Sequence, residues 1–533
     1  MLRPDRAPSP LATIFDRQRS PRAVLTAFGP RRRRLMAFGV LAVIVGAVVG
    51  GAMGSGSGFP TSPVAAGGPP QSGATVSAAG STAGSFPGST GTSPGSSTGG
   101  SLSAPGPGAG SFVGRDTSTA DGASTGTGSS SAPTAALAPG LPGTATLTPA
   151  LSRALTAQLG QLRLINGIPG IQATIIFPNG QSWRAHAGFR DFAARGPVAN
   201  STPFAVASVS KTFLAALVVE LSQEGRFGLD DPVLRWLPDA NVDPRVTIRE
   251  LLNHTSGVYD FFSNAAIDKA LLGCRSCAWS PSRSLSFVKK PYFAPGTNWA
   301  YSNTGYVLLG QLVEQVTGTS YATLLRQRFF DPLGLVSTYV QYLEPAPYPV
   351  AHAYQFFTYS RHETPTSLWD GTGISPFRSV LTAAGSAGSI ASSSRDLAIW
   401  ARALYSGRLF GFGDLAEMLD FAATRSFFVY DDPYGLGVQQ YVVGGRIAYG
   451  HDGRLLGARS AIRYIPSLDV SIAVVMNTDR GDPGAIAEQL LALVAPPLPP
   501  LPSPSPSPLP SPSPLPSPSA GSSPGPGDGS PSP

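Results

Sequence analysis

The stretch Arg446–Thr478, RIAYGHDGRLLGARSAIRYIPSLDVSIAVVMNT, decides how this chain folds. Within it RIAYGHDG, RSAIRYIPS and VSIAVVMNT are apolar, alternating runs punctuated by Gly, Pro and Asp. Side chains on a strand point to opposite faces in turn, so these runs predict three β-strands. Strands also stand near the other end of the same region. Ile171–Phe177 is β-branched and apolar, Pro178-Asn179-Gly180 is a turn, and QSWRAHAGF alternates again, which predicts an antiparallel hairpin.

Helical patterns fill the rest. Thr148-Pro149 gives an N-cap and a proline at the first helical position, followed by ALSRALTAQLGQL. A helix from Ser208 ends near Gly225. VTIRELLNHTSG, TGYVLLGQLVEQVTG (stopping at Gly318) and SSSRDLAIWARALYSG (Ser393 as cap, Asp396 three residues on) follow, and GAIAEQLLALVA closes the region. The predicted class is α+β, an α/β sandwich. One antiparallel sheet is built from both ends of the domain and flanked by terminal helices, with a mostly helical lobe inserted.

Chemistry enters at Ser208-Val209-Ser210-Lys211, an S-x-x-K at the head of a helix. Residues three apart share a helix face, so a hydroxyl and an amine stand side by side. A serine hydroxyl needs a neighbouring base to take its proton, and a lysine whose pKa is lowered can be that base. Tyr301-Ser302-Asn303 precedes a helix in FAPGTNWAYSNTGY, and His451-Asp452-Gly453 sits at a strand edge in YGHDGRLLG. Each alone has a plainer reading: Tyr301 as a packed aromatic, His451 as a turn histidine.

In this order, S-x-x-K, Y-x-N and H-x-G resemble the class C β-lactamase-like serine hydrolases, a family of β-lactamases, penicillin-binding DD-peptidases and esterases. The flanking PFAVASVSK, GLDDPVLRWLPD, VTIRELLNHTSG, PGTNWAYSNTGYVLLGQLVEQVTG and FFDPLGL agree, over about residues 171–478. The resemblance implies that Ser208 attacks a carbonyl and forms an acyl-enzyme. Lys211 and Tyr301 share the proton work, either as the base. Asn303 bonds the substrate amide and orients Lys211, and His451 faces the site where many relatives have lysine. Gly453 and Arg454 border the substrate, with the N–H groups of Ser208 and Arg454 forming the oxyanion hole. His254, in NHTSG, is implied to be structural. Asp452 departs from the hydroxyl or glycine usual in relatives that cut peptides ending in a carboxylate. Pointing into the cleft, its charge opposes a substrate carboxylate about 5 Å away by roughly 1–3 kcal/mol. Pointing out, it pairs elsewhere. The departure favours esters or small amides over β-lactams and D-alanyl peptides.

Composition sets the surroundings. Residues 1–34 hold nine Arg and two Asp, a net of +7, and the whole 533-residue chain is also +7, so the remainder is neutral and no nucleic-acid partner is implied. Arg31–Arg34 abut Leu35–Met53, nineteen residues without charge. As a helix that run spans about 28 Å, close to a bilayer core, and the arginines favour a cytoplasmic N-terminus. The expectation is a single transmembrane anchor with an extracytoplasmic catalytic region. A cleaved signal ending at Ala52-Met53-Gly54 is the alternative. Residues 54–146 are rich in Gly, Ser, Thr, Ala and Pro, and 496–533 alternate Pro and Ser. Both are expected to be disordered, the first as a tether reaching toward cell wall, and 147–495 to be the folded domain. Cys274 and Cys277 lack a second pair for zinc, which leaves a local disulfide. No metal or organic cofactor is implied. The substrate is expected to be a small molecule or derived from peptidoglycan. A catalytically silent wall- or ligand-binding domain and a wall-spanning structural protein are the rival readings.

Overall fold

The computed structural model describes residues 145–357, 363–409, 412–425 and 433–498. The basic segment, the apolar run, the first linker up to residue 144 and the Pro/Ser tail beyond residue 498 lie outside them. Among the described residues no helix is long and apolar enough to cross a membrane.

The strands predicted at both ends form one sheet. β1 (Gly170–Ile176) and β2 (Ser182–Asp191) are the hairpin, and a short β3 (Gly196–Pro197) follows. β4 (Gln439–Val443), β5 (Arg446–Leu455), β6 (Ala458–Ile465) and β7 (Val470–Met476) come from the far end. The order is β3-β2-β1-β7-β6-β5-β4, antiparallel throughout. β1 meets β7 in the register Ile171↔Met476 to Ile176↔Ser471, joining the two ends of the sequence at the sheet centre. The short strand β4 was not foreseen.

Both faces of the sheet are covered, so its central strands are buried on both sides. Val470, Ile472, Val474 and Met476 pack toward α1 (Pro149–Asn166) and α7 (Pro483–Val494), meeting Leu155, Leu159 and Leu490. Ala473 and Val475 face the second core. That core holds α2 (Ser210–Gln223), α3 (Ile248–Asn253), α4 (Asn303–Thr317), α5 (Arg378–Ala384) and α6 (Ser394–Tyr405). In α2, Phe213 stacks on Trp400 with ring centroids 4.0 Å apart, and the Trp400 indole N–H donates to Thr212 Oγ1 at 2.8 Å. Burying each such side chain contributes about 1.5–3 kcal/mol, so α2 is anchored along nearly its whole length.

The helix starts follow local chemistry. Thr148 and Ser393 cap α1 and α6, and Thr247 with Glu250 forms a complete capping box on α3. At α6 the box is half made. Ser393 accepts from Asp396 N, but the Asp396 carboxylate takes Ser337 N at 2.7 Å and Thr338 Oγ1 at 3.1 Å instead. That bond ties down the segment entering strand Tyr339–Val340. This strand, Phe204–Ala205 and Ile390–Ser392 make a small second sheet, which brings the residues before Ser208 against those after Ala387. Cys274 and Cys277 are joined in a disulfide.

Candidate active site

Ser208 sits on a strained approach. Phe204–Ala205 is held by the small sheet, Val206 N donates to Ile390 O at 3.0 Å, and Val206 O accepts from Ser460 Oγ at 2.7 Å. Ala207 then adopts φ 49°, a left-handed conformation that costs a non-glycine residue of order 1 kcal/mol and persists where surroundings over-determine it. The turn Ala207–Val209 carries Ser208 into a cleft also lined by Phe262, Tyr301, Asn303, Ala387 and Arg454.

The first turn of α2 holds Lys211, which is wholly buried. Its Nζ stands 3.2 Å from Ser208 Oγ, 2.9 Å from Asn303 Oδ1 and 2.7 Å from Ala387 O. Loss of hydration disfavours the ammonium and brings its pKa down to about 7, with the charge of Asp260 acting the other way. Asn303, at the start of α4, turns its other end to Asp260: Nδ2 donates to Oδ1 at 3.3 Å and Oδ2 at 3.2 Å. Both ends of that amide are therefore engaged within the protein, and in this geometry it organises Lys211.

Tyr301 is brought to the same spot. Its ring lies 5.0 Å from Lys211 Nζ, centroid to nitrogen. Its hydroxyl is buried and lacks a hydrogen bond of normal geometry, and burial raises its pKa, opposed by nearby Ser208. The cation lies over the ring face, and burial disfavours the phenolate, so of the two groups named as the base this arrangement favours Lys211.

Two buried histidines flank this centre. His254 ends α3 in the left-handed region (φ 68°), and its ring packs 4.3 Å from that of Tyr301. Its Nδ1 accepts from Ser302 N at 3.2 Å, and burial pushes its pKa well down. His451 is 3% exposed; Nδ1 lies 2.6 Å from Asp452 O and Nε2 2.8 Å from the Tyr434 hydroxyl. A carbonyl only accepts, so Nδ1 carries the proton and Nε2 accepts from Tyr434. Burial, then the charge of Lys211, pushes its pKa down to about 3. His451 is thus a neutral ring with both nitrogens occupied, at the place where the resemblance puts lysine in many relatives.

Gly453 has a steric reason. A Cβ there would stand 2.1 Å from Val206 O and 2.2 Å from Ser460 Oγ, so only glycine lets β5 lie against the Ser208 segment. Strand β4 pairs with β5 only as far as Gln439↔Gly450. Past that point no strand among the described residues pairs with the outer edge of His451–Leu455, which borders the cleft with Arg454 and Leu455 in its lining. Asp452 points to the other face. Its Oδ1 is 2.7 Å from Arg463 Nη1, and the Arg463 guanidinium lies 3.4 Å from the centre of the Tyr441 ring. The charge therefore faces away from the cleft.

Four contributors had no signal in the sequence: Asp260, the Ala387 carbonyl, Tyr434 and Arg463. Each acts by a contact across the fold. Among the described residues no group of three or more His, Cys, Asp or Glu is placed to hold a metal.

Comparison with known proteins follows this geometry. The family model described as Beta-lactamase matches residues 153–495. Over 222 residues the chain is 33% identical to "Penicillin-binding protein 4*" of Bacillus subtilis (strain 168), covering 41% of this chain and 48% of that protein, so it spans about half the length of that relative. The solved D-stereospecific amidohydrolase from Streptomyces sp. superposes with TM-score 0.54 at 32% identity, covering 64% of this chain and 98% of that one. The D-amino acid amidase from Ochrobactrum anthropi SV3, complexed with L-phenylalanine amide, gives TM-score 0.55 at 26% identity, covering 65% and 98%.

Proposed function

The chain belongs to the β-lactamase family, and from that premise we propose that it is a serine hydrolase that forms an acyl-enzyme on Ser208 with amide or ester substrates, D-amino-acid amides and D-alanyl peptides first among them. The observation that carries the reading is the surroundings of Lys211. A neutral amine has two N–H donors and one lone pair. Asn303 Oδ1 and Ala387 O take the donors at 2.9 and 2.7 Å, which leaves the lone pair for the Ser208 hydroxyl at 3.2 Å. With a pKa of about 7 that amine is a base matched to neutral pH.

The steps are as follows. Lys211 takes the Ser208 proton as Oγ bonds to the substrate carbonyl carbon. The oxyanion is received by the N–H groups of Ser208 and Arg454, and losing one such donor costs about 3 kcal/mol of transition-state stabilisation. The carbon–nitrogen or carbon–oxygen bond breaks as the leaving group takes the proton that Lys211 received from Ser208. Water then attacks the ester by the reverse path, giving the free acid and restoring Ser208. The outer edge of His451–Leu455 lies along the cleft and can pair with an extended substrate backbone.

The D-configuration is supported by the similarity to the D-stereospecific amidohydrolase and the D-amino acid amidase, and the peptide substrate by the penicillin-binding relative. With Asp452 turned away and His451 neutral, no acidic charge from the H-x-G motif opposes a substrate carboxylate, so the preference against D-alanyl peptides read from Asp452 loses its ground. A panel of D- and L-amino-acid nitroanilides, a D-alanyl-D-alanine peptide, a chromogenic cephalosporin and a simple ester tests this, run beside Ser208→Ala. Turnover of D-amides that the variant lacks is expected. Equal turnover by both proteins, or none of any substrate, overturns it and returns the silent binding domain to the front.

The anchoring of the enzyme is also a proposal. Arg31–Arg34 before the uncharged Leu35–Met53 support one membrane span with the hydrolase outside the cytoplasm. A reporter fused after Met53 should be active only when it depends on export; activity inside the cytoplasm refutes this.

A further inference from the structure

A buried carboxylate that touches Asn303 from outside the cleft lining has no part in the steps above. Asp260 is 6% exposed and caps the turn Phe261–Ser263, accepting from Phe262 N at 3.3 Å. Capping needs only one lone pair. The rest of the carboxylate is directed at Asn303, accepting its backbone N–H at 3.3 Å and its Nδ2 at 3.3 and 3.2 Å. An ionised carboxylate only accepts, so the Asn303 amide must turn its NH2 to Asp260 and its carbonyl to Lys211. A flipped amide would set NH2 against the lysine nitrogen and leave a buried carboxylate facing a carbonyl oxygen.

We propose that Asp260 is the positioning residue of this site: it locks the Asn303 amide with Oδ1 toward Lys211 and supplies the negative charge that keeps the amine basic enough to take the Ser208 proton. The proposal rests on reading Lys211 as the base. Lys211 is faced by Tyr301 from just before α4, by Tyr306 from the first turn of α4, by His254 from the end of α3, by His451 from β5, and by Asp260. Burial holds both tyrosines protonated and both histidines neutral. Arg454 borders the cleft from the strand edge. Asp260, although burial raises its pKa to about 6, is the acidic group in this set that is ionised at neutral pH. Without it, a lysine so deeply buried would stay neutral to lower pH and become a weaker base.

The test is a titration that needs no turnover. The chain has four lysines, Lys211, Lys269, Lys289 and Lys290, so a spectrum of full-length protein labelled with 13C at lysine Cε is sparse enough to read. Lys211 is assigned as the signal missing from Lys211→Met. In the wild type its midpoint is expected at about 7. In Asp260→Asn it should fall by about 1 pH unit or more, and in Asp260→Glu it should return toward the wild-type value. A midpoint in folded Asp260→Asn equal to that of the wild type overturns the proposal. If Asp260→Asn does not fold, the wild type decides: the Asp260 carboxyl carbon and the Lys211 Cε must each show an inflection at the other's midpoint, and two independent single curves refute the coupling. Fluorophosphonate labelling of the same samples separates the two ideas. An unlabelled wild type sinks the hydrolase reading, while the titration still judges Asp260.

Discussion

Replacing Asp452 by Asn should cost stability and leave the choice of substrate alone. Arg463 is 3% exposed, its guanidinium lies 3.4 Å from the centre of the Tyr441 ring, and its partner Asp452 Oδ1 is 2.7 Å away. Breaking a fully buried pair costs about 3–5 kcal/mol, because the remaining charge is stranded. An exposed pair is worth about 0–1 kcal/mol. Here one partner is buried, while the Asp452 side chain is 45% exposed and Asp482 adds a second negative charge near Arg463. The expected loss therefore lies between these limits, at about 2 kcal/mol, or about 3 °C in Tm for a domain of this size. Chemical and thermal denaturation of Asp452→Asn measure it, and Asp452→Asn with Arg463→Met should recover much of the loss, since both charges are then gone. Turnover of carboxylate-bearing and neutral amides should stay in the wild-type ratio. Unchanged stability together with a rise confined to carboxylate-bearing substrates would refute the reasoning, because it would put the Asp452 charge in the cleft.

Two further outcomes follow from the same geometry. The lone pair of Lys211 is lost on protonation, so kcat/KM should fall about tenfold per pH unit below about pH 7; a profile level down to pH 5 would exclude Lys211 as the base. The same depression acts on stability: between about pH 7 and 10.5 the unfolded chain holds a proton that the native chain does not, so this contribution falls as pH falls through that window and is constant below it. Gly453→Ala forces a methyl to 2.1 Å from Val206 O and should cost about 1–3 kcal/mol of stability with a 10- to 1,000-fold loss in kcat as the Arg454 N–H shifts; a fully active variant would remove β5 from the oxyanion hole.

What the sequence makes legible is local. The hairpin was readable because Pro178-Asn179-Gly180 separates two apolar runs, and Ile176↔Ser182 closes it as expected. S-x-x-K was readable because a three-residue spacing fixes which side chains share one turn, and Lys211 Nζ does stand 3.2 Å from Ser208 Oγ. The direction of Asp452 follows from strand alternation as well: His451 and Gly453 face the Ser208 segment, so the residue between them faces away. Asp260 was not readable. It reaches Asn303 across 43 residues of chain, and nothing near either residue marks the contact. The state of His451 was hidden for the same reason, since Tyr434 and burial, not the H-x-G spacing, decide which nitrogen carries the proton.

The central claim is that Ser208 is a nucleophile armed by Lys211. Intact-mass measurement of the full-length chain after treatment with a fluorophosphonate, with peptide mapping of the adduct, tests it most directly. One adduct on Ser208 is predicted, absent in Ser208→Ala and formed at least a hundredfold more slowly in Lys211→Ala. An adduct on another residue, or equal labelling of Ser208→Ala, would contradict it.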